Sequence, residues 1–249
     1  MTPHIDLNCD LGEGAGQDAL LMPLISSANI ACGGHAGDEA AMRETVRLAK
    51  MSWVSVGAHP GFEDRENFGR KEIVLPPEEI YALVKRQVGA LKKIVDARDV
   101  ALTHVKPHGA LYNLAARDPI VAKAVAEAVR DSGRYLVLYA LAGSELVKAG
   151  IDAGLHVARE VFADRVYQAD GSLMPRNLPG ALHEAEEVMV GQVLDMVERG
   201  MVETREGFEI AVQADTVCLH GDGPHAVRFA KALRQALKDA GVQVKPCLG

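Results

Sequence analysis

Short apolar runs rich in β-branched residues alternate along the chain with longer stretches of helical period. This pattern predicts strands over 4–9, 28–33, 53–58, 100–106, 135–140, 154–161 and 215–220. It predicts helices over 16–26, 37–50, 77–96, 117–132, 143–150, 182–199 and 224–240. The helix at 77–96 opens on Pro76-Pro77-Glu78-Glu79, a start signal with acidic residues in the first turn. Those at 117–132 and 224–240 end on Ser132-Gly133 and Ala240-Gly241, which read as C-caps. Repeated strand–helix alternation predicts a parallel sheet with helices outside it. Seven such units in 249 residues fit one closed β/α barrel spanning 1–249 better than an open sheet, the other arrangement the alternation allows. The segment 162–181, with Gly171, Pro175, Pro179 and Gly180, breaks the rhythm and is long for a connection, a property of functional loops.

Strands buried on both faces normally read as unbroken apolar runs. Here they alternate. Ile5, Leu7 and Cys9 share one parity of the first strand, and Asp6, Asn8 and Asp10 share the other. His104, Lys106 and His108 alternate with Thr103, Val105 and Pro107, and Cys218, His220 and Asp222 alternate with Val217 and Leu219. Successive side chains point to opposite faces, so if the apolar parity packs on helices, the polar parity points into the barrel. A polar group buried without a partner costs about 1–3 kcal/mol. So many inward groups must satisfy one another or bind something.

The polar positions also fall late in each unit, at the face where α/β barrels carry their sites. The loops there read Asp10-Leu11-Gly12-Glu13-Gly14, Cys32-Gly33-Gly34-His35-Ala36-Gly37-Asp38, Gly57-Ala58-His59-Pro60-Gly61-Phe62, Lys106-Pro107-His108-Gly109-Ala110-Leu111-Tyr112, Glu160-Val161-Phe162-Ala163-Asp164-Arg165 and His220-Gly221-Asp222-Gly223. His35, His59, His104, His108 and His220, five of nine histidines, lie at predicted strand ends, where convergence on one rim is expected. Asp10, His35 and His59 sit on three successive units and form a candidate site for zinc or a similar divalent ion, against a plain acid–histidine network.

Composition narrows the chemistry. With 27 basic and 34 acidic residues the net charge is −7, which argues against nucleic acid as a partner. No apolar run approaches the ~18 residues of a membrane span, and Met1-Thr2-Pro3-His4-Ile5-Asp6 is no signal peptide, so a cytoplasmic location is expected. Cys9, Cys32, Cys218 and Cys247 show no metal or redox spacing and read as buried small apolar residues. A nucleophilic Cys9 or Cys32, with His35 as base, is disfavoured because both precede their loop tips. There is no GxxxxGK[ST], GxSxG or HExxH motif. Gly12-Glu13-Gly14-Ala15-Gly16 reads equally as an anion-binding turn or a plain tight turn.

Six ordered blocks carry a resemblance: LNCDLGEG (7–14), SANIACGGHAGD (27–38), GAHPGFEDRENFGR (57–70), VKPHGALYN (105–113), EVFADRVYQADGSLMPR (160–176) and CLHGDGPHA (218–226). Over most of its length the chain resembles the LamB/YcsF family. Cys9 departs from the small residue that members often carry there, which weakens a nucleophilic role further. The resemblance implies a TIM-like, seven-stranded barrel of the glycoside hydrolase/deacetylase type. It also implies the first component of 5-oxoprolinase, which works with subunits B and C to convert 5-oxo-L-proline, ATP and water to L-glutamate, ADP and phosphate.

That reaction suits the residues. An unstrained lactam resists hydrolysis. Phosphorylating its oxygen makes the carbon electrophilic and supplies a leaving group, and a proton must then reach the ring nitrogen, which calls for acid–base groups and cations. On this reading Asp10 and His59 position or deprotonate water, directly or through a metal, with His35 beside them. Lys106 neutralises developing charge, and His108 and His220 donate protons. Glu160, Asp164 and Asp222 orient these groups or carry a cation. Arg165 and Arg176 clamp the substrate carboxylate, and Asn8 and Asn29 are further substrate-binding candidates. ATP would act at the level of the complex, since this chain lacks its motifs. The competing reading is a metal-dependent amidohydrolase or carbohydrate N-deacetylase, although 4% aromatics and a single tryptophan, Trp53, suit a sugar-stacking cleft poorly. A non-catalytic binding protein is the third class, disfavoured by the density of inward acid–base groups.

Overall fold

A computed structural model describes residues 3–221, 223 and 225–247. In chain order the elements are β1 (His4–Leu11), α1 (Asp18–Leu21), β2 (Ser27–Ala31), α2 (Glu39–Ser52), β3 (Ser55–His59), α3 (Pro77–Asp96), β4 (Leu102–Val105), α4 (Gly109–Arg117), α5 (Pro119–Ser132) and β5 (Val137–Leu141). They continue with α6 (Glu145–Asp152), β6 (His156–Phe162), α7 (Glu186–Leu194), β7 (Met201–Glu203), β8 (Glu209–Ala211), β9 (Thr216–Leu219), α8 (Ala226–Asp239) and β10 (Gln243–Val244). Seven parallel strands run in the order β1-β2-β3-β4-β5-β6-β9 and close where Asp6–Cys9 of β1 pair with Thr216–Leu219 of β9. The expected seven-stranded barrel is therefore the observed one. β10 adds a short parallel pairing to His4 and Ile5 at the N-terminal end of β1.

The parity of β1 works as its sequence requires. Ile5, Leu7 and Cys9 are buried in the main apolar core, between barrel and helices. Asp6, Asn8 and Asp10 are buried on the other face. Helix α3 supplies much of the outer layer, burying Ile80, Leu83, Val84, Val88, Leu91 and Val95, each worth roughly 1.5–3 kcal/mol of transfer free energy. Asp38, Asp118 and Ser144 cap α2, α5 and α6 by accepting from backbone N–H groups. A second, smaller apolar group of Val137, Tyr139 and Ala158 packs with Cys247.

Several elements differ from expectation. The helix expected over 16–26 shrinks to α1 and a single 3₁₀ turn, Met22–Leu24, because Pro23 removes a donor and restrains the residue before it. The glycine-rich turn ahead of α1 is closed internally, with Gly12 N donating to Asp18 Oδ2 at 2.8 Å. A carboxylate of the chain itself thus occupies the position an anion would take. Residues 109–117, outside the expected helices except at 117, form α4, and Asp118-Pro119 ends it and starts α5. The helix expected over 182–199 starts later, at Glu186, and its last turn widens to a π-type turn over Asp195–Arg199. The β7–β8 hairpin escapes the pattern because its three-residue strands are too short to show alternation.

Candidate active site

The polar face of the barrel gathers into one connected set around Lys106, which directly follows β4. Its ammonium lies 2.9 Å from Glu160 Oε1, 3.0 Å from Asp10 Oδ1, 3.0 Å from Cys218 Sγ and 3.3 Å from Asn8 Oδ1. Asn29 donates to Asn8 Oδ1 and Asp10 Oδ1 at 2.7 and 2.8 Å, and Asn8 donates to Glu160 Oε1 and Thr216 Oγ1. Tyr112 of α4 closes the set, donating to Glu160 Oε2 at 2.6 Å. Burial alone would lower the lysine pKa, but Asp10, Cys218 and Glu160 around it hold it well above its ordinary value. Burial likewise opposes ionisation of Asp10, yet His59 and Lys106 hold its carboxyl well below the usual range. Charge-paired groups of this kind stabilise developing charge in a dry site.

Three histidines lie beside it. His59, the last residue of β3, points Nε2 to within 3.3 Å of Asp10 Oδ2 and 2.9 Å of His108 Nδ1. Burial works against its protonation, but Asp10 overrides it and raises the pKa. His108 is pushed well below the usual histidine value by burial and by His59 and His35. His35 stacks on His108 with ring centroids 3.6 Å apart, and its Nε2 lies 3.0 Å from Glu13 Oε1. Burial, with His59 nearby, depresses its pKa to about 2. The packing depends on Gly69, whose φ of +62° and crowded surroundings leave no room for a side chain, since a Cβ would lie 2.7 Å from His35 Cβ.

His220, just after β9, is half-buried and holds Asp164 through Nδ1 at 2.8 and 2.9 Å. Its ring stacks on Phe162. Despite its burial, Asp164 has a lowered pKa because His220, Arg176 and Arg165 lie close. His220, Phe162, Arg165 and Arg176 line a cleft of about 1480 Å³. Seven cations line it (Arg70, Lys71, Lys106, Arg117, Arg159, Arg165 and Arg176) against four acids (Asp10, Glu13, Glu72 and Asp170). Glu160 and Asp215 pair with Lys106 and Arg159, and Asp164 lies close to Arg165 and Arg176, so the cleft carries closely matched charges of both signs.

The candidates therefore separate by depth. Asp10, His59, Lys106, His108, Arg165, Arg176 and His220 line the cleft. Asn8, Asn29 and Glu160 are fully buried beneath it, as is His104, whose Nε2 meets Asn29 Oδ1 at 2.9 Å. Arg165 directs Nη2 to Met174 O, and its buried Nε meets no hydrogen-bond partner among the described residues. Of the suggested metal set, Asp10 and His59 are adjacent, but His35 turns to Glu13 instead. Asp222 lies outside the described residues. Cys9 packs in the core with a pKa far above its ordinary value, from burial and the Asp10 charge, and burial pushes Cys32 up to about 12. Neither is poised as a nucleophile. Four residues of the site escaped the sequence pattern: Glu13, Tyr112, Phe162 and Cys218. Glu13, Tyr112 and Phe162 stood in the glycine-bearing loops and Cys218 on the inward parity, but the contact of Tyr112 with Glu160 appears only once α4 has formed.

A closed α/β barrel with a charged acid–base set at the C-terminal ends of its strands has the form of an enzyme. The LamB/YcsF family model matches residues 5–249, and the chain belongs to that family. It is 55% identical over 240 residues to the 5-oxoprolinase A-type component of Erwinia tasmaniensis, covering 96% of this chain and 98% of that one. It is 46% identical to a lactam utilization protein from Thermus thermophilus, whose crystal structure superimposes with a TM-score of 0.91 over 97% of this chain and 99% of that one. A GH113 β-1,4-mannanase shares the fold alone, at 12% identity and a TM-score of 0.52, over 97% of this chain and 99% of that one.

Proposed function

We propose that this chain is the lactam-opening component of an ATP-dependent 5-oxoprolinase, acting in the cytoplasm with subunits B and C on 5-oxo-L-proline. The observation that carries the reading is the His220–Asp164 pair, set with Lys106 in the cleft. Nδ1–H of His220 is donated to Asp164, so Nε2 is left as the basic nitrogen, the arrangement that makes histidine a general base and then an acid. Partner subunits phosphorylate the lactam oxygen with ATP. His220 takes a proton from water as it adds to the activated carbon, and returns it to the ring nitrogen as the C–N bond breaks. The resulting carboxyl phosphate is hydrolysed by a second water, giving L-glutamate and phosphate. Lys106 and the cleft arginines offset the phosphate and oxyanion charge.

The cleft volume supports this division of labour. At about 1480 Å³ it exceeds the roughly 300–1,000 Å³ of common small-ligand sites and is far larger than a five-membered lactam needs. It has room for a phosphorylated substrate handed over by a partner. The test is glutamate release and 5-oxoproline-dependent ATP hydrolysis by this chain mixed with subunits B and C, and by each part alone. Glutamate should form only when this chain is present, and should fall about 10²–10⁴-fold in His220→Ala. Full activity without the chain, or ATP-independent hydrolysis of acetamido sugars by the chain alone, overturns the reading and favours the deacetylase alternative.

A further inference from the structure

The second feature of the cleft is a cluster that this mechanism does not use. His59 Nδ1 lies 2.7 Å from the Lys106 carbonyl, and His108 Nε2 lies 2.9 Å from the Phe68 carbonyl. A carbonyl only accepts, so both of these nitrogens carry hydrogen. In neutral imidazole the other nitrogen is then a bare lone pair. Those two nitrogens, His59 Nε2 and His108 Nδ1, face each other at 2.9 Å. Two lone pairs at that distance repel unless something positive lies against both. A single proton satisfies the pair, and so does a metal ion.

Asp10 Oδ2, 3.3 Å from His59 Nε2, can hold that proton, and the remaining surroundings offer a metal a third ligand. Glu13 Oε1 lies 3.5 Å from His108 Nδ1 and 3.8 Å from His59 Nε2. Two ligands on one tetrahedral zinc, at about 2.0–2.2 Å from the ion, lie roughly 3.3 Å apart. The observed spacings of 2.9, 3.5 and 3.8 Å bracket that value. Tying the outer nitrogen of each ring to a backbone carbonyl is also how proteins fix the tautomer of metal-binding histidines. His35 adds a hydrogen bond to Glu13. A contrasting group, Asp10, Cys218 and His220, also brings donor atoms together. There, however, the Lys106 ammonium already lies 3.0 Å from both Asp10 and Cys218, in the place of a cation.

We propose that Glu13, His59 and His108 are the three protein ligands of a divalent metal ion, of the zinc type, at the floor of the cleft. Three ligands leave the fourth tetrahedral position facing the cleft, where water or a substrate oxygen can bind. The mixed nitrogen–oxygen set selects zinc, cobalt or nickel over magnesium, which prefers oxygen alone. Binding displaces the one proton shared by the two imidazoles, so about one proton is released per metal bound.

The site is independent of the oxoprolinase reading and is tested on the whole chain without its partners. The protein is stripped with a chelator and titrated with zinc against a chromophoric competitor. One equivalent should bind, with about one proton released as judged by calorimetry in two buffers. Glu13→Gln and His108→Gln should each weaken binding at least ~100-fold, while Asp164→Asn stays within a few-fold. The X-ray absorption edge of the bound zinc should show imidazole neighbours. This last measurement needs only the unsubstituted protein, so misfolding of a variant cannot obscure the answer. No uptake at one equivalent, full affinity in both variants, or an all-oxygen coordination shell would each overturn the proposal.

Discussion

Two buried carboxylates on one face of β1 have opposite environments. Asp6, at the N-terminal end of the barrel, accepts hydrogen bonds from Ser26, Ser27 and Thr216 at 2.6–2.7 Å. These partners are neutral hydroxyls, and burial outweighs them, so its pKa is raised. Asp10, four residues on, meets Lys106 and His59, and its pKa falls well below the usual range. Strand, parity and near-complete burial are shared, so burial does not distinguish a structural acid from a chemical one. The charge of the partners does. Hydroxyls satisfy Asp6 and leave no group free to act. Cations around Asp10 fix a negative charge next to groups that open on a cleft.

The sharpest way to break this comparison is to neutralise each acid in turn. Asp10→Asn keeps the shape of the side chain but leaves Lys106 without one of its two carboxylates. Glutamate formation by the reconstituted enzyme should fall about 10³-fold, within the range for a group acting in the transition state. Retained activity would mean that the upper network is as structural as the lower one. Asp6→Asn should do the reverse. Three hydroxyls would then face an amide that can accept from fewer of them, costing about 1–3 kcal/mol in urea unfolding at pH 7. The folded remainder should keep kcat within about twofold. A kcat loss as large as that of Asp10→Asn would show that the two ends of the barrel are coupled.

The sequence showed the division between core and interior but not the division between top and bottom. Period-two alternation placed Asp6, Asn8 and Asp10 on one face, and glycine-flanked polar residues marked the cleft rim. Nothing local distinguishes Asp6 from Asp10, because their partners come from other strands and are chosen by register. The same holds for His35. Its place on the unit between Asp10 and His59 suggested a set with them, whereas in the structure it stacks on His108 and meets Glu13. Tyr112 was missed for a related reason. Gly109 reads as a turn residue, yet α4 begins there, and only that helix brings the phenol to Glu160. The family blocks carry many of the residues that line the cleft. The depth of each residue within it needed the three-dimensional packing.

His104 gives the finest test, because it lies between the two regions. It belongs to the polar parity of β4 but is fully buried, stacked on Tyr139 and hydrogen-bonded to Asn29 and Thr103. Gly57 makes room for it, since a Cβ there would come within 2.1 Å of the ring. Burial, with Lys106 and His59 nearby, holds its pKa down to about 3. An unfolded histidine titrates near 6.5, so between that value and about 3 the unfolded chain binds a proton that the folded chain refuses. His104 therefore stabilises the fold fully above pH 6.5, and that contribution is lost as pH falls, at up to ~1.4 kcal/mol per pH unit. His35 and His108 act in the same direction. Urea midpoints between pH 7 and 5 should therefore drop for the wild type and drop less steeply for His104→Gln, whatever the variant costs at pH 7. The window stops above the range where most carboxylates titrate, so the difference in slope reports the histidine itself. Equal slopes would mean that His104 takes up a proton in the folded barrel, which would make it part of the charged upper network rather than its neutral support.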